Sequence, residues 1–241
     1  MRRVGIVAAW EPELSYLNSK WQITHSCEIA GWTFNQHVYG ANLEVISVIC
    51  GVGKVKCAGC TQLLITQFNP QAMYMTGICG GLGDKVRGGD VVVPLVTFQH
   101  DVHDAGLGTD VKDLYSGRSG KISTDLKCIE TFRNFAQKRN VVVHYGTLVS
   151  GDRRIRDQGL RSNLESKYGA IAVDQEIAAF SHVCYLNNKA FFSIKGVSDK
   201  ADDKTVEDQA RFKLKAADEA CSLLLDYLSF RDAYSSSNER V

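Results

Sequence analysis

The order of apolar and amphipathic segments predicts an α/β domain on a mixed sheet, and three observations carry that reading. Short runs rich in Val, Ile, Ala and Phe, within residues 4–13, 169–176 and 191–203, have the length and bounds of buried strands. In the second half of the chain such runs alternate with segments of helical spacing, as in βαβ units. Each of the three runs also ends in polar residues: Glu11 and Glu13, then Asp174, Gln175 and Glu176, then Ser198 and Asp199. Ligands sit at the carboxyl edge of open α/β sheets. One such acid alone reads equally well as a helix cap. Three strands that deliver carboxylates to one edge point to a chemical site.

Taken in order, the chain opens with a strand. Pro12 then suits the first turn of a helix through Leu14 and Leu17, with Glu13 on that turn. Segments 22–29, 32–39 and 42–50, separated by short Gly/Asn breaks, predict a meander. Cys50-Gly-Val-Gly-Lys54 lacks the GxxxxGK[ST] of a P-loop. Its glycines, between a strand and the helical run 54–68, still allow a ligand close to the backbone. A short strand over 72–76 leads into 76–82, TGICGGL, which glycine density predicts to be a turn, either plain or with amides that cradle a ligand.

A strand over 90–98 ends in QHDVHD, residues 99–104. His100, Asp101, His103 and Asp104 are metal-ligand types, but HxxH off a helix and without a partner at fixed spacing favours a loop or interface role. Residues 105–122, rich in Gly, Asp and Ser, read as an exposed loop. Helix 123–138, strand 141–149, helix 156–167, strand 170–174, helix 175–187 and strand 190–197 follow, with Ser150-Gly-Asp-Arg-Arg-Ile155 after the first of these strands. The last helix, 205–230, carries Ala217, Cys221, Leu224 and Leu225 on one face, as an amphipathic cover does. Residues 1–231 read as one domain and 232–241 as a polar tail.

With 241 residues, 44% of them apolar, the chain can bury a large core. Its formal charge of +1 comes from interspersed acids and bases, which leaves no footprint for nucleic acid or an anionic membrane. The first ten residues hold two arginines and an apolar run too short for a signal peptide, and no stretch approaches the roughly 18 apolar residues of a span. A soluble, cytoplasmic protein is expected. Most of the eight cysteines lie in apolar runs, as reduced core thiols do. Cys57 and Cys60 form a CxxC without a second pair to complete a zinc site, so packing is the reading preferred.

The blocks GIVAAWEPE, GVGKV, TGICGGL, GGDVVV, QHDV, VSGD, AVDQE and GVSDKAD, in that order and over nearly the whole chain, resemble the 5′-methylthioadenosine/S-adenosylhomocysteine nucleosidases of the nucleoside phosphorylase superfamily. The resemblance implies an α/β three-layer sandwich around a mixed, partly barrel-like sheet. It also implies a homodimer and hydrolysis of the N-glycosidic bond of a purine nucleoside, with no metal or organic cofactor. On the matching positions Glu13 would activate water and Glu176 would hold the ribose hydroxyls. Asp199, oriented by Ser198, would protonate the purine at N7, and the Ile155 backbone would read the base edge. Val52, Cys79, Gly80, Arg154, Gln175, Trp10, Asp104 and Lys195 complete the implied substrate-binding set.

The chain departs from the family pattern at several of these positions. Lys195, Gln175 and Asp174 replace arginine, methionine and glutamate, and Arg154 replaces an aromatic near the base. Around the 5′-substituent, Trp10, Asp104 and Gln209 stand for methionine, valine and phenylalanine. A carboxylate at 104 favours a polar or cationic 5′-group over thiomethyl.

The chemistry asks for such residues on its own account. A purine leaves poorly as an anion, so a carboxylic acid beside N7 lowers the barrier, by ~10²–10⁴-fold for one general acid. A carboxylate at the sugar hydroxyls stabilises the oxocarbenium-like transition state, and a second deprotonates water on the opposite face. A phosphorylase would need cations at that face, where only Lys195 is placed and Glu13 would repel phosphate. A nucleoside binder without turnover would be expected to lack one of the three carboxylates, and all three are present.

Overall fold

The opening run becomes strand β1 (Arg2–Ala8), whose alternation already sets the layers. Val4, Ile6 and Ala8 pack into one core, while Val7 and the following Ala9 pack into a second on the opposite face. The computed structural model describes residues 2–102, 121–139, 141–201 and 205–238. After β1 a 3-10 turn, Glu11–Leu14, leads into α1 (Ser15–Lys20). The predicted meander is present: β2 (Ile23–Ile29), β3 (Trp32–Tyr39) and β4 (Leu43–Ile49) pair antiparallel in succession, and β4 lies parallel to β1. Helix α2 (Lys54–Phe68) then crosses to β5 (Ala72–Gly81), which joins β1 in parallel on its other side.

Strand β5 also belongs to a closed ring with β10 (Ala190–Asp199), β6 (Val91–Gln99), β8 (Val143–Ser150) and β9 (Ala170–Asp174). Pairing is parallel for β5–β10, β6–β8 and β8–β9, and antiparallel for β10–β6 and β9–β5. Gly196 pairs with Val91, and Gly80 and Gly81 pair with Val173 and Ala172, so both antiparallel seams fall at glycines. Missing side chains there let strongly coiled strands approach. A short β7 (Ile122–Ser123) adds to β6.

Helices α1, α3 (Leu126–Arg139) and α6 (Thr205–Asn238) supply one core cluster; α2 and α5 (Ile177–Leu186) supply the other. The fold is thus the layered α/β sandwich with a barrel-like sheet that was expected. Helix α4 (Gln158–Tyr168) covers the ends of β8 and β9 through Leu160, Leu164 and Tyr168. Helix α6 extends to Asn238 instead of ending near 230.

Candidate active site

Glycine density misled in one place. TGICGGL is no turn, because β5 runs through it to Gly81. Its glycines serve clearance. A Cβ on Gly77, whose φ is +150°, would lie 2.7 Å from Glu13 Oε1, so only glycine leaves room for that carboxylate. At Gly80 a Cβ would lie 3.1 Å from Asp199 Oδ1.

Glu13 is aimed by the turn that Pro12 starts. The amides of Ala9 and Trp10 donate to its Oε2 at 2.8 and 3.0 Å, and that of Ile78 donates to Oε1 at 2.9 Å. Burial raises its proton affinity, while Lys195 and the three amides pull the other way.

Asp199 owes its position to a bulge. Val197 pairs with Cys79 and Asp199 with Gly80, so Ser198 is an extra residue on β10. The strand therefore continues two residues past its predicted end at 197 and delivers Asp199 directly. The Ser198 hydroxyl donates to Asp199 Oδ2 at 2.7 Å and the Ala201 amide to Oδ1 at 2.9 Å. Both residues are buried.

At the end of β9, Asp174 caps α5. It accepts from the Ser150 hydroxyl at 2.6 Å and from the amides of Glu176 and Ile177 at 3.1 Å. Glu176 follows, its Oε1 accepting from the Gly53 amide at 3.0 Å and its Oε2 from that of Gln175 at 3.3 Å. The GVG segment thus contacts a site carboxylate through its backbone. Burial and the charges of Asp174 and Glu13 lift the Glu176 carboxyl to about 7, against Lys195 and the Gly53 amide.

Lys195 is placed differently from expectation. Strand alternation puts it on the face of Phe191 and Val197, inside the ring, where it is fully buried. Its Nζ lies 3.0 Å from Asp174 Oδ2 and does not line the pocket. Burial works against its charge, but Asp174, Glu13 and Glu176 outweigh that and leave its proton held more tightly than usual. Its part is to balance the acids from behind.

One open cleft, with about 720 Å³ of atom-free space, gathers the rest. Glu13, Glu176, Asp199 and Ser198 line it together with Trp10 and Val52. Cys79, Gly80, Arg154, Ile155 and Gln175 complete the predicted residues found there. Asp104 and His103 lie outside the described residues, as does the side chain of Gln209. Sequence reasoning missed Arg153 and Lys213 as lining residues. Arg153 stands beside Arg154 in the same block, whereas Lys213 sits on α6 with no motif to mark it.

The neighbouring motifs have structural partners. Asp101 pairs with Lys54 at 2.5 Å and accepts the Asp152 amide at 2.8 Å, tying β6 to α2 and to segment 150–155. Cys57 and Cys60 are buried in the core between α2, α5 and the sheet, and burial pushes the Cys60 thiol up to about 12.

The sequence profile of the phosphorylase superfamily matches residues 3–229. The chain belongs to the phosphorylase superfamily. Among its members, the 5′-methylthioadenosine/S-adenosylhomocysteine nucleosidase of an Exiguobacterium species is 30% identical over 204 residues, 84% of this chain and 87% of that one. The corresponding nucleosidase of Shewanella piezotolerans is 30% identical over 218 residues, covering 89% and 93%. Within the superfamily the fold is similar to that of S-adenosylhomocysteine nucleosidase from Streptococcus pyogenes, solved with 5-methylthiotubericidin. Here the TM-score is 0.88 at 25% identity, over 94% of this chain and 96% of the other.

Proposed function

We propose that the cleft hydrolyses the N-glycosidic bond of a 5′-modified purine nucleoside and releases the free base. The observation that carries this reading is the convergence of three buried carboxylates, Glu13, Glu176 and Asp199, on one cleft, each held by a different set of hydrogen-bond donors. Asp199, with Ser198 on one oxygen and the Ala201 amide on the other, is held to pass a proton to N7. Glu176 faces the ribose hydroxyls and the positive charge that develops on the sugar. Glu13, fixed by three amides, takes the proton of the attacking water. The Ile155 backbone and Arg154 border the base.

The nucleosidase names of the relatives at 30% identity agree with this chemistry. Phosphorolysis relied on Lys195 as the cation at the ribose, and that ammonium is drawn away into its pair with Asp174. The chain is further proposed to act as a homodimer. Helices α2 and α5, packed on each other, expose Val55, Tyr185 and Leu186. Among the described residues no helix is long and apolar enough to cross a membrane.

The test is base release from adenine and hypoxanthine nucleosides bearing different 5′-groups, with and without inorganic phosphate. Release that needs no phosphate and yields free ribose derivative is expected. Strict dependence on phosphate would mark a phosphorylase, and binding without release a nucleoside-binding protein.

A further inference from the structure

The acids of the cleft are buried at its floor, and its wall carries the opposite charge. Arg153, Arg154 and Lys213 all line it, and none of the three has an ion pair or hydrogen bond among the described residues. Lys213 rests on an aromatic ring. Its Nζ lies 3.6 Å from the centre of the Trp10 indole, a cation–π contact that holds the ammonium by the ring face and leaves its N–H donors to a ligand. Trp10 is itself anchored to the reaction centre, since its amide donates to Glu13.

The position of this corner follows from the rest of the cleft. Asp199 and Ile155 border the base, and Arg153 and Arg154 belong to the same segment as Ile155. Glu13 and Glu176 flank the sugar. Trp10, matched by sequence to the surroundings of the 5′-substituent, lines the cleft beside Lys213, so this corner is assigned to the 5′ arm. Resting on the nucleosidase reading above, we propose that the 5′-substituent of the preferred substrate ends in a carboxylate, and that Lys213 selects it. Asp104 suggested a cationic arm from sequence; the described wall presents a cation there, with no acid paired to it. An ammonium with unused donors favours an anionic partner and penalises a cationic one by like-charge contact.

Purine nucleosides with carboxyethylthio, propylthio and aminoethylthio groups at the 5′ carbon present anionic, neutral and cationic arms of similar length. Values of kcat/KM are expected to rank in that order, with the anionic arm about tenfold over the neutral at low ionic strength. The ratio should shrink as salt is raised. Lys213→Met should bring it close to one, Lys213→Glu should reverse it, and Lys213→Arg should keep it. If Lys213→Met does not fold, the salt series on the unaltered protein decides the matter. Equal efficiency on all three arms, a preference for the cationic arm, or a ratio unchanged in Lys213→Met would overturn the proposal while the nucleosidase reading stands. Inorganic phosphate forms a further arm: if it accelerates base release and a sugar phosphate appears, the cation serves an attacking anion and the proposal fails. Absence of base release from every nucleoside would bring down both readings.

Discussion

Asp199 and Glu176 are both buried carboxylates at strand ends, yet their surroundings assign them different work. Asp199 is clamped by a hydroxyl and an amide, so replacing it by Asn preserves its shape and removes its acidity. Asp199→Asn is expected to lower kcat by ~10²–10⁴-fold with the unfolding midpoint little changed. A variant that keeps more than about a tenth of the rate would remove Asp199 as the acid. Glu176, lifted to about 7, has to be ionised to face a cationic sugar, so kcat/KM should climb as pH rises through that value. Its effect on stability has the opposite slope. A carboxyl that titrates near 7 folded and 4.5 unfolded binds more protons when folded, so it stabilises below 4.5 and loses this contribution as pH rises to about 7. His37 and His182, lowered by burial, act in the opposite sense. The readout is therefore the difference in urea stability between the unaltered protein and Glu176→Gln across pH 4.5 to 7, at most about 3 kcal/mol. Parallel curves would show that Glu176 does not titrate in that window.

Among the elements, the contact of β10 with α6 has the least tolerance. A Cβ on Gly196 would fall 2.1 Å from the Ala216 carbonyl oxygen, which is backbone and cannot turn aside. Gly196→Ala should therefore destabilise by about 2–4 kcal/mol, with the loss visible in urea unfolding. Gly59, inside α2, offers the opposite case. A Cβ there meets only Trp32 Cη2 at 3.5 Å, an ordinary contact, and alanine favours the helix. Gly59→Ala should stabilise by about 0.5–1 kcal/mol. If the two changes had equal effects, the close approach of α6 to β10 would be in error.

At the scale of the molecule, α2 and α5 leave aliphatic side chains in solvent, Val55 at 82% exposure and Leu186 at 65%. Isolated exposed apolar residues are common, so it is their position on two packed helices that supports a covered face. Sedimentation at micromolar concentration should give twice the 26.6 kDa of the chain, and Val55→Glu should shift it toward the monomer. A 26.6 kDa species for the unaltered protein would dismiss the homodimer.

The sequence by itself determined the alternation of strands and helices and singled out Glu13, Glu176 and Asp199, which line one cleft, because buried runs that end in acids are local patterns. The run 54–68 was legible to the residue as α2, since a strand and glycines precede it and Asn69 in the left-handed conformation ends it. Three things were decided only by the tertiary structure. The glycines of β5 were read as a turn, because the clearance they provide is needed by side chains from distant segments. Lys195 was placed at the ribose, because its withdrawal depends on Asp174 from another strand of the ring. Lys213 was missed altogether, since nothing local marks a lysine as facing an indole more than two hundred residues earlier in the chain. In each case the deciding partner is remote in sequence: pairing of β1 with β5 brings Glu13 to Gly77, the ring brings Asp174 to Lys195, and packing of α6 on the turn after β1 brings Lys213 to Trp10.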